Sequence, residues 1–241
     1  MWSCPIPEAR QALMVDPTLH AVEPVEYNAE TADVRILCGG RSWPVHADVI
    51  TKYSNFFKRA LSGFFLEART KEITMHGIDH KMIDLVIDYV YSGWRSLRRR
   101  RLKIPMERRR GLWKIPNVHI ETIAQLLIAA DYLDMELLCR DAYSEICEQV
   151  AKVVFQTRSE IQWKHNVGRD RPTFMATADI LRRQGSSKFL QTGQRIARFF
   201  NEVMLVDGYD DAFALYCRTF PDRDGDSDCI NGYVDYIGDR Y

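Results

Sequence analysis

Residues 33–93 set down short elements in an order that few folds accept, and this stretch constrains the chain more than any other. Asp33-Val34-Arg35-Ile36-Leu37 alternates polar with apolar side chains at the period of a half-buried strand. Cys38-Gly39-Gly40-Arg41 follows, and adjacent glycines supply the positive φ angles that a tight hairpin turn needs. Ser42-Trp43-Pro44-Val45-His46 is the return strand, with Trp43 and Val45 pointing one way. Pro44 has no N–H for a ladder, so this strand is expected to be partly unpaired. Residues 47–53 and 54–61 read as two short helices, with Ser54 placed to cap the second. Phe56, Phe57, Phe64 and Phe65 are expected to deliver a dense aromatic load to one place. Residues 71–75 read as a short strand. Residues 80–91 read as a helix, because the apolar side chains at 82, 85, 86, 89 and 90 form one continuous stripe.

Taken in order, Asp33-Val34, Val45-His46, Ser54, Phe56-Phe57, Phe65-Leu66-Glu67-Ala68, Ile73 and Tyr91-Ser92-Gly93 resemble the BTB/POZ domain. The resemblance resumes over residues 120–135, similar to the family's next helical hairpin, and continues to Leu138 and Cys139. It implies an α+β fold, a small β-sheet flanked by a cluster of α-helices, with an α-helical C-terminal extension. The expected organisation is a flexible segment at 1–30, a BTB/POZ domain at 31–148 with an arginine-rich insert at 95–118, and a helical extension with an acidic tail at 149–241. The short, fungal-type arrangement is expected, since no kelch or zinc-finger repeat follows. A short helix near residues 8–14 is the only element read before the hairpin.

The resemblance also implies a use. Such a domain has no chemistry of its own and works by presenting surfaces to a second copy or to another protein. Asp33, Val34, Ile36, His46, Val49, Lys52 and Tyr53 lie in the stretch that matches the family's dimer-forming neighbourhood. Asp33 has an equally plain role capping the strand, and His46 one satisfying a buried backbone group. Cullin-binding members carry a hydrophobic residue, any residue, then Glu in the helix before the Tyr-Ser-Gly turn. The aligned residues here read Ile83-Asp84-Leu85, with Asp84 or Asp88 standing in for the glutamate. The implied function is a non-enzymatic adaptor or scaffold, self-associating and recruiting a cullin-type ubiquitin ligase.

The formal net charge of zero hides a strong segregation. Residues 95–110 hold nine basic side chains against Glu107 alone, while residues 207–241 hold nine aspartates against three arginines. Arg98, Arg99, Arg100, Arg101, Arg108, Arg109 and Arg110 make the basic patch, and Lys103-Ile104-Pro105 recurs as Lys114-Ile115-Pro116 within it. Three readings stand side by side: a solvated, mobile surface loop, a nuclear-import address, and a phosphate-binding strip of a nucleic-acid-associated regulatory factor.

At 46% apolar and 27% charged residues the chain has the make-up of a globular protein. No apolar run reaches the roughly 18 residues of a membrane span, and no signal-peptide layout opens the chain, so an intracellular place in nucleus or cytoplasm is expected. The six cysteines lack CxxC spacing, and Cys38, Cys139 and Cys147 sit at core positions, so free buried thiols are expected. His76 and His80 stand four apart, but Gly77 and the strand-to-helix junction spoil a helical metal face. Asp224-Gly225-Asp226-Ser227-Asp228 imitates a calcium loop but has Cys229 where Gly belongs and Asp235 at the twelfth place. No catalytic, metal or cofactor set is therefore assigned. Beyond residue 145, Val150, Val153, Val154 and Ile161 are expected to share one helix and Ile196, Phe199, Phe200, Val203 and Met204 another, with a linker at 166–172 where Gly168 and Pro172 bracket polar residues.

Overall fold

Val34–Cys38 (β1) and Arg41–Val45 (β2) pair as an antiparallel hairpin with Val34 opposite Val45 and Ile36 opposite Trp43. Gly39 and Gly40 carry the turn at φ 56° and 77°. The computed structural model describes residues 22, 24–102, 108–109, 112–113, 119–155, 160–206 and 209–220. Ala47–Tyr53 (α1), Asn55–Leu61 (α2) and Leu66–Thr70 (α3) then cross over to Glu72–Thr74 (β3), which pairs parallel to β1. A parallel neighbour requires such a crossover. The strand order β2-β1-β3 leaves β2 at an edge, where Pro44 can face away from any ladder.

Ser54 caps α2 as expected: its Oγ accepts from the Phe57 N–H at 3.2 Å and donates to the Leu133 carbonyl at 2.6 Å. The second bond ties α2 to the far end of the following helix pair. That pair is Ile120–Tyr132 (α5) and Glu136–Phe155 (α6), the expected helical hairpin. Its buried Ile123, Ala124, Leu126, Leu127 and Ala130 complete a core with Val34, Ile36, Ile50, Phe57, Ile83, Val86 and Tyr89. The result is the expected α+β fold, a small sheet flanked by helices with a helical extension.

His80–Leu97 (α4) is longer than the expected 80–91 helix. Gly93 kinks it at φ 73°, ψ 168°, and one π-helical turn, Arg98–Leu102, continues from its end. The start of the arginine insert is therefore helical and not a loop. Its two leucines, Leu97 and Leu102, are fully buried, and that burial holds the turn against the core. Further on, Arg108–Arg109 (β4) and Leu112–Trp113 (β5) form a minimal antiparallel pair.

The linker expected at 166–172 is likewise helix. It lies inside Glu160–Arg182 (α7), with Pro172 in the interior. Proline there loses one hydrogen bond and crowds the carbonyl four residues back, which belongs to Gly168. Asn166, Val167, Asp170 and Phe174 are buried while Gly168 and Pro172 face solvent. Packing of that buried face on α5, α6 and Ser187–Glu202 (α8) outweighs the local propensity. Gly193 lets α8 and α7 approach closely, since a Cβ there would sit 2.6 Å from the Ala178 carbonyl oxygen.

Val150 and Ile161 fall on different helices, α6 and α7, and not on one as expected. Ile196, Phe199, Phe200 and Val203 are buried together, but Met204, in a short 3-10 turn, keeps 38% of its surface exposed. Tyr209–Thr219 (α9) closes the described chain, with Phe199, Tyr216 and Phe220 in mutual ring contact. The short helix near 8–14, Cys4, the insert repeat, Arg110 and the aspartate-rich loop at 224–235 lie outside the described residues.

Candidate interaction surface

Four of the residues expected at a contact surface lie in the core. Val34, Ile36, Val49 and Ile83 keep between 0% and 7% of their surface, because alternate strand positions and the inner helix faces pack on one another. A side chain without accessible atoms has nothing to offer a partner. Ile83-Asp84-Leu85 thus does not form an outward motif, and Asp84 is engaged within the chain. It accepts from the Trp43 indole N–H at 2.7 Å and lies 3.6 Å from Arg41.

Asp33 and His46 serve the fold in the same way. The Asp33 carboxylate accepts from the Ala47 N–H at 2.8 Å, pinning the start of α1 to the start of β1. The Tyr91 hydroxyl accepts from the His46 N–H and contacts His46 Nδ1, both at 2.8 Å, while Nε2 lies 2.8 Å from the Thr31 hydroxyl. All three contacts are satisfied when the imidazole hydrogen sits on Nε2 and the tyrosine donates to Nδ1. Burial pushes the Tyr91 phenol up from its ordinary pKa, so it keeps the hydrogen. Lys52 is exposed over the Tyr53 ring, and the buried Tyr53 hydroxyl has no hydrogen-bond partner among the described residues.

The apolar surface is elsewhere. Phe56 and Phe57 turn inward and touch edge to face at 5.4 Å, whereas Phe64 and Phe65 do not join them. Phe64 is fully exposed, and Phe65 and Leu66 keep 61% and 67% of their surface. The expected aromatic load is split, because Ser62 and Gly63, at φ 88°, end α2 and swing the chain outward. That break was the signal available in the sequence. Isolated exposed apolar residues are ordinary, but three in succession on one turn are a marker of contact.

The ridge is firmly mounted. Below it, Asp134 accepts from Arg59 at 3.0 Å and its carbonyl accepts from the Asn55 N–H at 3.2 Å, fixing α2 to the α5–α6 turn. Above it, the Lys71 N–H donates to the Glu67 carbonyl at 2.8 Å, and Lys71 closes α3 in the left-handed conformation. Glu67 follows Phe65 and Leu66 on the first turn of α3.

Among the described residues, the arginines of the basic patch are not used alike. Arg98 reaches Glu145 at 3.0 Å and Glu148 at 2.8 Å, and Glu145 is buried. Arg101 binds Asp88 at 2.6 Å, a bond that holds its guanidinium even more firmly protonated. Arg99 and Arg100 remain exposed, and Arg108 and Arg109 form β4. Cys38, Cys139 and Cys147 are buried thiols outside any disulfide; burial raises the Cys38 pKa, and its Sγ–H points at the Ile78 carbonyl at 3.3 Å. Among the described residues, no three His, Cys, Asp or Glu side chains converge on a metal-sized site, and no helix is long and apolar enough to cross a membrane.

The BTB/POZ domain family model matches residues 23–106. Kelch-like protein 21 of Rattus norvegicus is 33% identical over 55 residues, 23% of this chain and 9% of that protein. Kelch-like protein 38 of Mus musculus is 36% identical over 61 residues, 25% and 10% of the two chains. Kelch-like protein 4 of Homo sapiens is 28% identical over 76 residues, 32% and 11%. The match therefore spans about a tenth of these relatives' length.

Proposed function

We propose that this chain, which carries a BTB/POZ domain at residues 23–106, is a non-enzymatic adaptor that binds a protein partner on the Phe64-Phe65-Leu66 ridge, the partner being a cullin-type ubiquitin ligase subunit. The observation that carries this reading is the exposure of Phe65 and Leu66 immediately before Glu67. The hydrophobic–any–Glu order associated with cullin binding is met here, on an outward turn, and not at the buried Ile83. Apolar side chains held on a rigid base lose little entropy on docking, which favours them as anchors. The adaptor reading places the protein inside the cell, in nucleus or cytoplasm. A role on nucleic acid has less support, because Arg98 and Arg101 are neutralised within the fold.

Light scattering coupled to size-exclusion chromatography tests the reading, using the full chain and a purified cullin amino-terminal region. The parent is expected to form a complex that Phe65→Asp abolishes and Arg99→Ala leaves intact. A complex that survives Phe65→Asp would move the site away from the ridge. Dimers of the chain with no cullin complex would replace the ligase reading with a self-associating scaffold.

A further inference from the structure

Beside the Gly93 kink, α4 borders a cleft of about 460 Å³ whose wall is apolar at Val22, Pro24 and Trp94 and cationic at Arg95 and Arg99. Arg140 also lies on the wall but is already engaged, 3.8 Å from Asp141 Oδ1, while Asp141 Oδ2 accepts from the Tyr89 hydroxyl at 3.0 Å. The Ser92 hydroxyl is engaged as well, donating to the Asp88 carbonyl at 2.6 Å. Arg95 and Arg99 are exposed, and neither has an ion-pair partner among the described residues. Like charges four apart on a helix repel, so such a pair costs stability unless an anion answers it. Their base is fixed, since Leu97 is fully buried and Arg98 is held by Glu145 and Glu148.

We infer that the cleft binds an extended acidic segment of a partner protein, with one carboxylate on Arg95, the next on Arg99, and an apolar side chain of the same segment on Val22, Pro24 and Trp94. The spacing suits such a ligand. Residues four apart on a helix have Cβ atoms about 5–6 Å apart, and alternate side chains of an extended peptide stand on one face about 6.6 Å apart. Carboxylates at alternate positions therefore meet the two guanidinium forks in turn, leaving the following position on that face for the apolar wall. A single phosphate would instead concentrate its charge on the wall that already carries the Asp141 carboxylate. A nucleic acid would lay phosphates along a continuous strip, and Arg98 and Arg101, which would extend that strip, are bound to carboxylates. The cleft shares no lining residue with the Phe64-Phe65-Leu66 ridge, so it is a second site and does not rest on the first.

The probe is a tetramethylrhodamine-labelled peptide, Leu-Ser-Asp-Ser-Asp-Ser-Leu, titrated with the full chain at low salt and read by fluorescence anisotropy. It is expected to bind about tenfold more tightly than its counterpart with asparagine in place of both aspartates. Arg95→Gln combined with Arg99→Gln is expected to weaken the acidic peptide about tenfold, with an unchanged far-UV circular dichroism spectrum and urea midpoint. Arg69→Gln combined with Arg183→Gln removes the same charge from exposed positions outside the cleft and is expected to leave binding within about twofold. Phe65→Asp is likewise expected to leave it within about twofold, which separates this site from the ridge. The inference is overturned if the acidic peptide does not bind, or if both arginine pairs weaken it alike, since net charge alone is then the attraction. It is equally overturned if Phe65→Asp abolishes binding, or if single-stranded oligothymidylate displaces the peptide and itself depends on Arg95 and Arg99.

Discussion

At Gly93 the backbone occupies φ 73°, ψ 168°, a region that residues with a Cβ avoid. An added Cβ would also sit 3.3 Å from the Val22 carbonyl oxygen, where the segment before β1 crosses α4 and the Val25 N–H donates to the Tyr91 carbonyl at 2.9 Å. Gly93→Ala is expected to cost about 1–3 kcal/mol, measured by urea denaturation, with most of the loss surviving in a variant that also carries Val22→Ala. Asp141 makes a second residue-scale case. Burial raises its carboxyl above the ordinary 3.8, only partly countered by the Tyr89 hydrogen bond, and burial, reinforced by the Asp141 carboxylate, pushes the Tyr89 phenol up. A carboxyl whose folded pKa exceeds its unfolded one gives its full stability below about 3.8 and loses it as pH rises through the folded value. Asp141→Asn keeps an acceptor for Tyr89 and removes the titration. Its urea midpoint is therefore expected to fall less steeply than the parent's between pH 4 and neutrality. Parallel pH profiles would show that Asp141 titrates alike folded and unfolded.

Elements in this chain were legible where one local signal dominated. The alternating β1, the Gly-Gly turn, Ser54 before α2 and the apolar stripe of α4 each name their element because backbone preference and packing agree. They failed to be legible where packing overrode preference. Pro172 with Gly168 signals a break, yet the buried Val167, Asp170 and Phe174 hold α7 continuous. The arginine run signals a loop, yet Leu97 and Leu102 anchor it, and its charge is answered by carboxylates that lie more than 40 residues later in Glu145 and Glu148. Only tertiary structure reveals such pairings. The run can accordingly be divided by mutation. Arg98→Ala leaves the buried Glu145 without its main cation and is expected to destabilise by about 2–3 kcal/mol. Arg99→Ala, on the same turn but exposed, is expected to stay within about 0.5 kcal/mol. Chemical denaturation of both variants checks this, and equal losses would contradict the assignment of Arg98 as the brace between α4 and α6.

At the scale of the whole molecule, the question is whether the helical extension is a separate body or part of the same core. The site residues were hardest to read at this scale too: Val34, Ile36, Val49 and Ile83 have the right chemistry for contact but are used in the core, while Phe64 and Phe65 look like core and face solvent. Burial is a property of the assembled fold, and no local pattern encodes which apolar residues are left over. For the extension, the packing gives a prediction about coupling. α7 packs on α5 and α6, α8 on α7 and α9 on α8, and the Tyr216 hydroxyl of α9 donates to the Cys147 carbonyl of α6 at 3.2 Å, so the aromatic group of Phe174, Phe199, Phe200, Tyr216 and Phe220 is joined to the α5–α6 hairpin that completes the core of the sheet. Phe199 is fully buried at the centre of that group. Phe199→Ala removes its ring contacts and leaves a cavity, an expected loss of about 3–5 kcal/mol. If the layers share one core, that loss moves the entire transition. Far-UV circular dichroism, dominated by the long helices, and the fluorescence of Trp43, on β2 against Asp84, followed in a background with Trp2, Trp94, Trp113 and Trp163 changed to Phe, are then expected to shift together to the same lower midpoint. A variant in which the helical signal melts early while the Trp43 signal keeps the parent's midpoint would show instead that the extension unfolds on its own and that the hairpin's stability does not depend on it.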